Sequence, residues 1–289
     1  FVLQEINAAW DQDKKRGLQV FDQALVGHLI FVLRNTWRSF FWGIAWRFSK
    51  ETPVQVTIDT ANYYRLLARF SAAFALLTDI AMIKLGGSLK RRERLSARLG
   101  DILSMLYLCS ATLKRYEDDD RPAIDLPLLH WSLQDALYRM QQAFDEFLLN
   151  FPGNVLMRAW LRLMVFPLGK RLCPPSDELS HQLARLLLAP GEGRERLTSG
   201  IYLPTADHEP LAQLEQALAC AIACEPIEAR LRKAAKDGLL DAPESEQISA
   251  ALVKNILTTK EASLLEKTKI LRRKVIMVDD FSPDFVTNN

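Results

Sequence analysis

The chain has 289 residues, 49% hydrophobic and 25% charged, ordinary proportions for a globular protein with one large core or two modest ones. Its net charge of +2 is too small to argue for a nucleic-acid partner; the arrangement of charge says more than its sum. Four cysteines in so long a chain make no disulfide framework, which points to a reducing, cytoplasmic location.

The chain opens at Phe1-Val2-Leu3, with neither an initiator methionine nor a charged leader, and reads as the interior of a longer protein. Residues 1–16 read as the end of a helix, punctuated by Gly17. A long helix is expected over residues 18–48. On a helical wheel Ile30, Leu33, Trp37, Phe40, Phe41, Ile44 and Phe48 gather on one side, assigned here to the core; Phe31, Trp42 and Trp46 fall on the other, beside Arg38. Arg34 and Arg38 interrupt the most apolar stretch, residues 25–48, so it does not read as a bilayer span. Residues 49–58, with Pro53, read as a linker.

Residues 63–120 form the organising stretch, a long helical hairpin folded about Gly86-Gly87. Tyr63, Leu67, Phe70, Phe74, Leu77 and Ala81 recur at steps of three and four in the first arm. Leu95, Leu99, Ile102, Leu106, Cys109, Leu113 and Tyr116 do so in the second. The small run Ser71, Ala72, Ala73, Ala75 lets a neighbour approach closely, and Ser88 is the expected N-cap of the second arm. Asp118, Asp119 and Asp120 diverge by about 100° each on a helix, so they read as a solvated helix end rather than a metal triad.

Beyond the hairpin, Asp125 is placed to cap a helix running to about Asn150. Leu126, Leu129, Leu133, Leu137, Met140, Phe144, Phe147 and Phe151 form its stripe. Asn154 caps the next helix, residues 155–166, and another ends near Leu188. Residues 189–209 are rich in glycine and proline, with one short helix near Arg194. Leu211 to Cys224 form a helix, Pro226 opens a second that ends near Gly238, and residues 245–256 form another. Thr258 with Glu261 fits a capping box for a helix over residues 259–273. The tail from Lys274 reads as an extended strap.

The fold class is therefore all-α: an antiparallel helical bundle built around a long hairpin, with a shorter-helix C-terminal subregion. The expected division is 1–48, 49–58 (linker), 59–188 (main bundle) and 189–289. His28, His130, His181 and His208 sit on separate elements without metal-ligand spacing, so no metal site is expected. Two surfaces stand out. Lys90, Arg91, Arg92 and Arg94 crowd the N-terminus of the second hairpin arm, and Glu117 to Asp120 its C-terminus, against the helix dipole. Such charges are met either by a neighbouring segment of opposite sign or by an anionic partner. Residues 29–48 and 155–172 lack acids and mix arginine with tryptophan: Arg34, Arg38, Trp42 and Trp46 in one, Arg158, Trp160 and Arg162 in the other. Basic side chains beside amphipathic rings suit either a membrane interface or a protein partner.

The run Gly86-Gly87-Ser88-Leu89-Lys90-Arg91-Arg92-Glu93-Arg94-Leu95-Ser96-Ala97-Arg98-Leu99-Gly100-Asp101-Ile102-Leu103-Ser104 resembles the C-terminal region of bacterial long-chain acyl-CoA dehydrogenases. So do His130-Trp131, Gln134-Asp135-Ala136-Leu137-Tyr138, Asn150-Phe151-Pro152, Phe166-Pro167-Leu168-Gly169 and Val278-Asp279-Asp280-Phe281. The resemblance implies an enzyme that oxidises fatty acyl-CoA to trans-2-enoyl-CoA, a glutamate taking the α-proton and FAD the β-hydride. It implies that the glutamate, in a Glu-Gly motif, and the flavin site lie upstream of Phe1. Glu5, Glu51 and Glu93 match no such motif, so no residue here inherits a catalytic or flavin-binding role. It further implies long-chain acyl-CoA as substrate, an electron-transfer flavoprotein as partner, a homo-oligomer, and peripheral contact with the inner membrane. A non-catalytic module docking an electron carrier or another β-oxidation enzyme is the other reading.

Overall fold

The computed structural model describes residues 2–45, 58–204, 206, 208–243 and 246–278. Among them every regular element is helical: α1 (Val2–Ala9), α2 (Lys14–Ala45), α3 (Ile58–Leu85), α4 (Glu93–Asp118), α5 (Leu126–Asn150), α6 (Val155–Val165), α7 (Asp177–Leu188), α8 (Glu192–Thr198), α9 (Pro210–Lys236), α10 (Gln247–Val253) and α11 (Thr259–Ile276). The all-α expectation holds. The chain divides into two compact units, residues 1–184 and 185–289. Residues 1–45 belong with the hairpin in the first.

The core of the first unit is the hairpin α3/α4 closed by α5. Leu95, Leu99, Ile102, Leu106, Cys109 and Leu113 of α4 are all buried, as their spacing predicts. They meet Leu129, Leu133, Leu137, Met140, Phe144 and Phe147 of α5. From α3 come Tyr63, Leu67, Phe70, Leu77 and Ala81. Phe70 stacks on Phe144 with centroids 5.4 Å apart, and Phe166 meets Phe144 edge-on at 6.4 Å, geometries the ring quadrupole favours. Among the described residues the segment Thr60–Arg91 is the one helix long and apolar enough to cross a membrane, and 56% of its apolar window is buried, as a core helix requires. The hairpin turn differs from expectation. Gly86–Arg91 is a 3-10 segment, and Arg92 precedes α4. Ser88 caps nothing; its hydroxyl donates to the Leu85 carbonyl at 2.6 Å.

α2 inverts the expected orientation. Its buried residues are Gly17, Ala24, Asn35, Ser39 and Gly43. Ile30, Leu33, Trp37, Phe41 and Ile44, assigned to the core from periodicity, are exposed, and Phe40 is half-buried. Phe48, Trp46 and the linker residues 49–57 lie outside the described residues. The cause is close packing. α2 lies on α3, whose Ala72 and Ala73 are buried, and small side chains on both helices let the backbones approach. A Cβ added to Gly43 would meet Pro167 Cγ at 2.5 Å, and one on Gly17 would meet the Ala8 carbonyl oxygen at 2.7 Å. Gly17 is thus a contact point between α1 and α2 inside a helix, not a helix end. Of the polar members of this face, Ser39 Oγ donates to the Met164 carbonyl at 2.9 Å.

α6 starts at the expected cap, where Asn154 Oδ1 accepts from Met157 N at 2.9 Å. In the second unit α9 runs unbroken through Pro226, where two helices were expected. Pro226 is exposed, and its missing N–H costs α9 one backbone hydrogen bond. Cys224, Ile227, Leu231 and Ala234 continue one buried stripe across it. The capping box is present: Thr258 accepts from Glu261 N, and the Glu261 carboxylate accepts from Thr258 N. These contacts and Arg230 hold the Glu261 carboxyl down at about 2, the Thr258 backbone contributing most. α11 continues to Ile276, three residues, or just under one turn, into what the sequence suggests is an extended strap.

Candidate functional site

The charges of α4 are met unequally at its two ends. At the C-terminal end Lys114 pairs with Asp118, Arg115 with Asp119 at 3.5 Å, and Arg121 with Glu117. Thr60 Oγ1 also donates to Glu117 at 3.2 Å. Three of the four acids that oppose the dipole, Glu117, Asp118 and Asp119, are thus neutralised locally. At the N-terminal end Lys90, Arg91, Arg92 and Arg94 are all exposed. None forms an ion pair among the described residues. Arg91, Arg92 and Arg94 line an open hollow of about 370 Å³ with Glu93, Leu95, Arg98 and Asn150; of these arginines only Arg98 forms an ion pair, with Glu146 at 3.2 Å. The neighbouring segment of opposite sign that could have met this cluster is therefore not found among the described residues.

Asn150 closes α5, and the turn after it carries this basic end toward α6. Leu148, Leu149, Val155, Arg158, Ala159 and Arg162 line a second hollow of about 340 Å³. Val155 and Leu156 are 72% and 79% exposed, and Trp160 is exposed beside them. The four-cation cluster and the α5–α6 turn, separate in sequence, thus adjoin through Leu149 and Asn150. Sequence spacing offered no sign of that junction; it arises because α5 returns antiparallel along α4.

The aromatic residues singled out on α2 are arranged differently. Arg38 lies over the Trp42 ring, 4.2 Å from its centroid, a cation–π contact, and both are half-buried. Arg34 is exposed. On α6, Arg162 is committed to a partner: its Nη1 is 2.7 Å from Asp145 Oδ1, and Lys170 Nζ is 2.7 Å from Asp145 Oδ2. Burial works to raise the Asp145 carboxyl, but the bonds from Lys170 and Arg162 outweigh it and hold the group below the usual carboxylate range.

Two buried polar groups escaped the sequence reading. His28 bridges α1 and α3, with Nδ1 2.9 Å from Glu5 and Nε2 3.6 Å from Asp79. Burial pushes the Asp79 carboxyl up, opposed by His28. Arg69 is buried, donates to the Val165 carbonyl at 3.0 Å and lies over Phe70; burial first, then Arg171, brings it down to about 10. Such partners lie 23 to 96 residues apart, beyond any local pattern. No group of three or more His, Cys, Asp or Glu residues that could hold a metal occurs among the described residues.

The family model described as acyl-CoA dehydrogenase, C-terminal, bacterial type matches residues 1–281. No solved structure matches the chain.

Proposed function

The chain belongs to the bacterial-type C-terminal family of the acyl-CoA dehydrogenases, and from that premise we propose that it is the helical, non-catalytic part of a flavin-dependent enzyme oxidising long-chain fatty acyl-CoA to trans-2-enoyl-CoA in β-oxidation. The catalytic glutamate and the FAD belong to a further part of the same protein, preceding Phe1. Electrons leave through an electron-transfer flavoprotein, and the assembly is a homo-oligomer in the cytoplasm.

One observation supports this reading above others: α2 buries a face of small residues and turns its large apolar residues outward. Its small-residue face is used within the bundle, while Ile30, Leu33 and Trp37, each at least 60% exposed, stand on the opposite side. They belong to a stripe that continues through Phe41 and Ile44. An apolar stripe of this length on a protein surface marks a contact site, and the catalytic part is its proposed occupant. The test is made on the complete dehydrogenase, with Leu33→Glu and Trp37→Glu introduced together. The expected result is loss of bound FAD or of acyl-CoA oxidation while the helical content of this part is kept. Full flavin content and activity in that variant would exclude the stripe as the docking face.

A second surface supports peripheral membrane contact. Lys90, Arg91, Arg92 and Arg94, unpaired among the described residues, adjoin exposed Val155, Leu156 and Trp160. Cations beside apolar and aromatic side chains match an anionic lipid surface, each cation near it contributing about 1 kcal/mol. Flotation with vesicles containing anionic lipid should show binding that weakens with salt and is lost when the four cations become Ala. Binding indifferent to salt and to those changes would remove the electrostatic model.

A further inference from the structure

A cleft of about 590 Å³ opens on the first unit, on the side where α3, α5 and the start of α7 meet. Its volume falls in the range of small-molecule sites. Leu66, Leu137, Leu172 and Leu179 supply an apolar lining. Asn62, Tyr63, His130 and Gln134 supply the polar groups, with Cys173 beside them, and among the described residues no Lys, Arg, Asp or Glu lines it.

The polar groups are ordered as a chain. Tyr63 Oη lies 2.8 Å from His130 Nδ1. Burial raises the Tyr63 hydroxyl, and Gln134 beside it opposes that rise. A phenol O–H is a stronger acid than a neutral imidazole N–H, and an imidazole nitrogen is a better acceptor than a phenol oxygen. Tyr63 therefore donates to His130 Nδ1, which puts the ring proton on Nε2. That Nε2–H has no partner among the described residues, and it belongs to a ring that lines the cleft.

The wall opposite His130 is fixed in advance. Gln141 Oε1 accepts from Arg171 N and Leu172 N at 3.0 and 3.1 Å, and its Nε2 donates to the Leu172 carbonyl at 3.0 Å. Trp131 Nε1 donates to Ser180 Oγ at 3.1 Å, tying α7 to α5. Walls held by such bonds keep their spacing without a ligand, which lowers the cost of binding one.

We propose that this cleft binds a neutral amphipathic molecule, an apolar chain ending in a hydrogen-bond acceptor such as a carbonyl, with His130 Nε2–H as donor to that acceptor. The four leucines suit the chain. The lack of cations disfavours a carboxylate or a phosphate, whose burial without a counter-charge is costly. Neither the redox reaction nor the basic surface at the other end of α4 requires this site.

The test uses the full chain and 2-dodecanone as probe, with dodecane and dodecanoate as controls. Binding is followed by thermal shift and by the ¹⁵N resonances of the His130 ring. The expected result is saturable binding of the ketone with a shift confined to His130 Nε2, and binding at least tenfold weaker for dodecane and dodecanoate. His130→Phe, which keeps the ring and removes the donor, should weaken the ketone tenfold or more. Leu179→Trp, at a half-buried position on the rim, should abolish it. The wild-type spectra alone decide the matter if either variant fails to fold. Ketone that leaves the His130 resonances unmoved, or that binds no better than dodecane, overturns the proposal.

Discussion

α5 and α2 are long helices of the same unit, and each carries a clear apolar stripe, yet they use it in opposite ways. α5 turns Leu133, Leu137, Met140, Phe144 and Phe147 inward until almost none of their surface is left. α2 turns Ala24, Asn35, Ser39 and Gly43 inward and leaves Leu33 and Trp37 outside. The contrast teaches that apolar periodicity locates a face to be covered without saying what covers it. For α5 the cover is α4; for α2 the larger face stays outward among the described residues, and its smaller face is what fits α3.

The largest expected effect lies in α5. Phe144→Ala removes a ring that touches both Phe70 and Phe166, and should cost about 3–5 kcal/mol of stability in urea unfolding. The matching truncation on α2, Leu33→Ala, should change stability by less than about 0.5 kcal/mol in this chain. Comparable losses at both positions would break the contrast.

A medium effect is expected where α2 does pack. Alanine is favoured over glycine in a helix by about 1 kcal/mol, but at Gly43 its methyl would collide with the Pro167 ring. The collision should win, with a net loss of about 1–2 kcal/mol, within the usual cost of overpacking. Gly100→Ala on α4, where a Cβ meets nothing within 4 Å, should instead stabilise by about 0.4–1 kcal/mol. The opposite signs separate a packing glycine from a merely tolerated one.

Asp145 joins α5 to α6 and gives a pH dependence. Its carboxyl is held below the unfolded value, which for aspartate is about 3.9. The stabilisation is complete above that value and is lost as the pH falls through the lower folded one. Asp145→Asn should remove this acid-side slope from stability-versus-pH curves. The loss at neutral pH should be small, on the order of 1 kcal/mol, because Arg162 and Lys170 remain partly in solvent.

Much of the fold was legible because it follows local rules. The α4 stripe, the Asn154 cap and the Thr258–Glu261 capping box each depend on residues within a turn or two of one another. The α2 face was misassigned because large apolar residues outweigh small ones on a wheel, whereas close helix contact selects glycine, alanine and serine. Pro226 suggests a helix start because its ring disfavours a helix interior, yet the stripe from Cys224 to Ala234 holds α9 through it. Of the surface, the four cations of residues 90–94 were legible as an unusual cluster against the dipole. The commitment of Arg162 to Asp145, and the junction of the cluster with Val155 and Leu156, were not, since both depend on how α5 and α6 fold back.

The central claim is that the outward stripe of α2 is covered by the catalytic part of the enzyme. Hydroxyl-radical footprinting of the complete dehydrogenase in the absence of lipid tests it most directly, with Tyr107 as internal standard. In this chain Trp37 and Tyr107 are 63% and 72% exposed, so each is open to the radical on its own. In the complete enzyme Trp37 should be strongly protected while Tyr107 is labelled; equal labelling of the two would contradict the account.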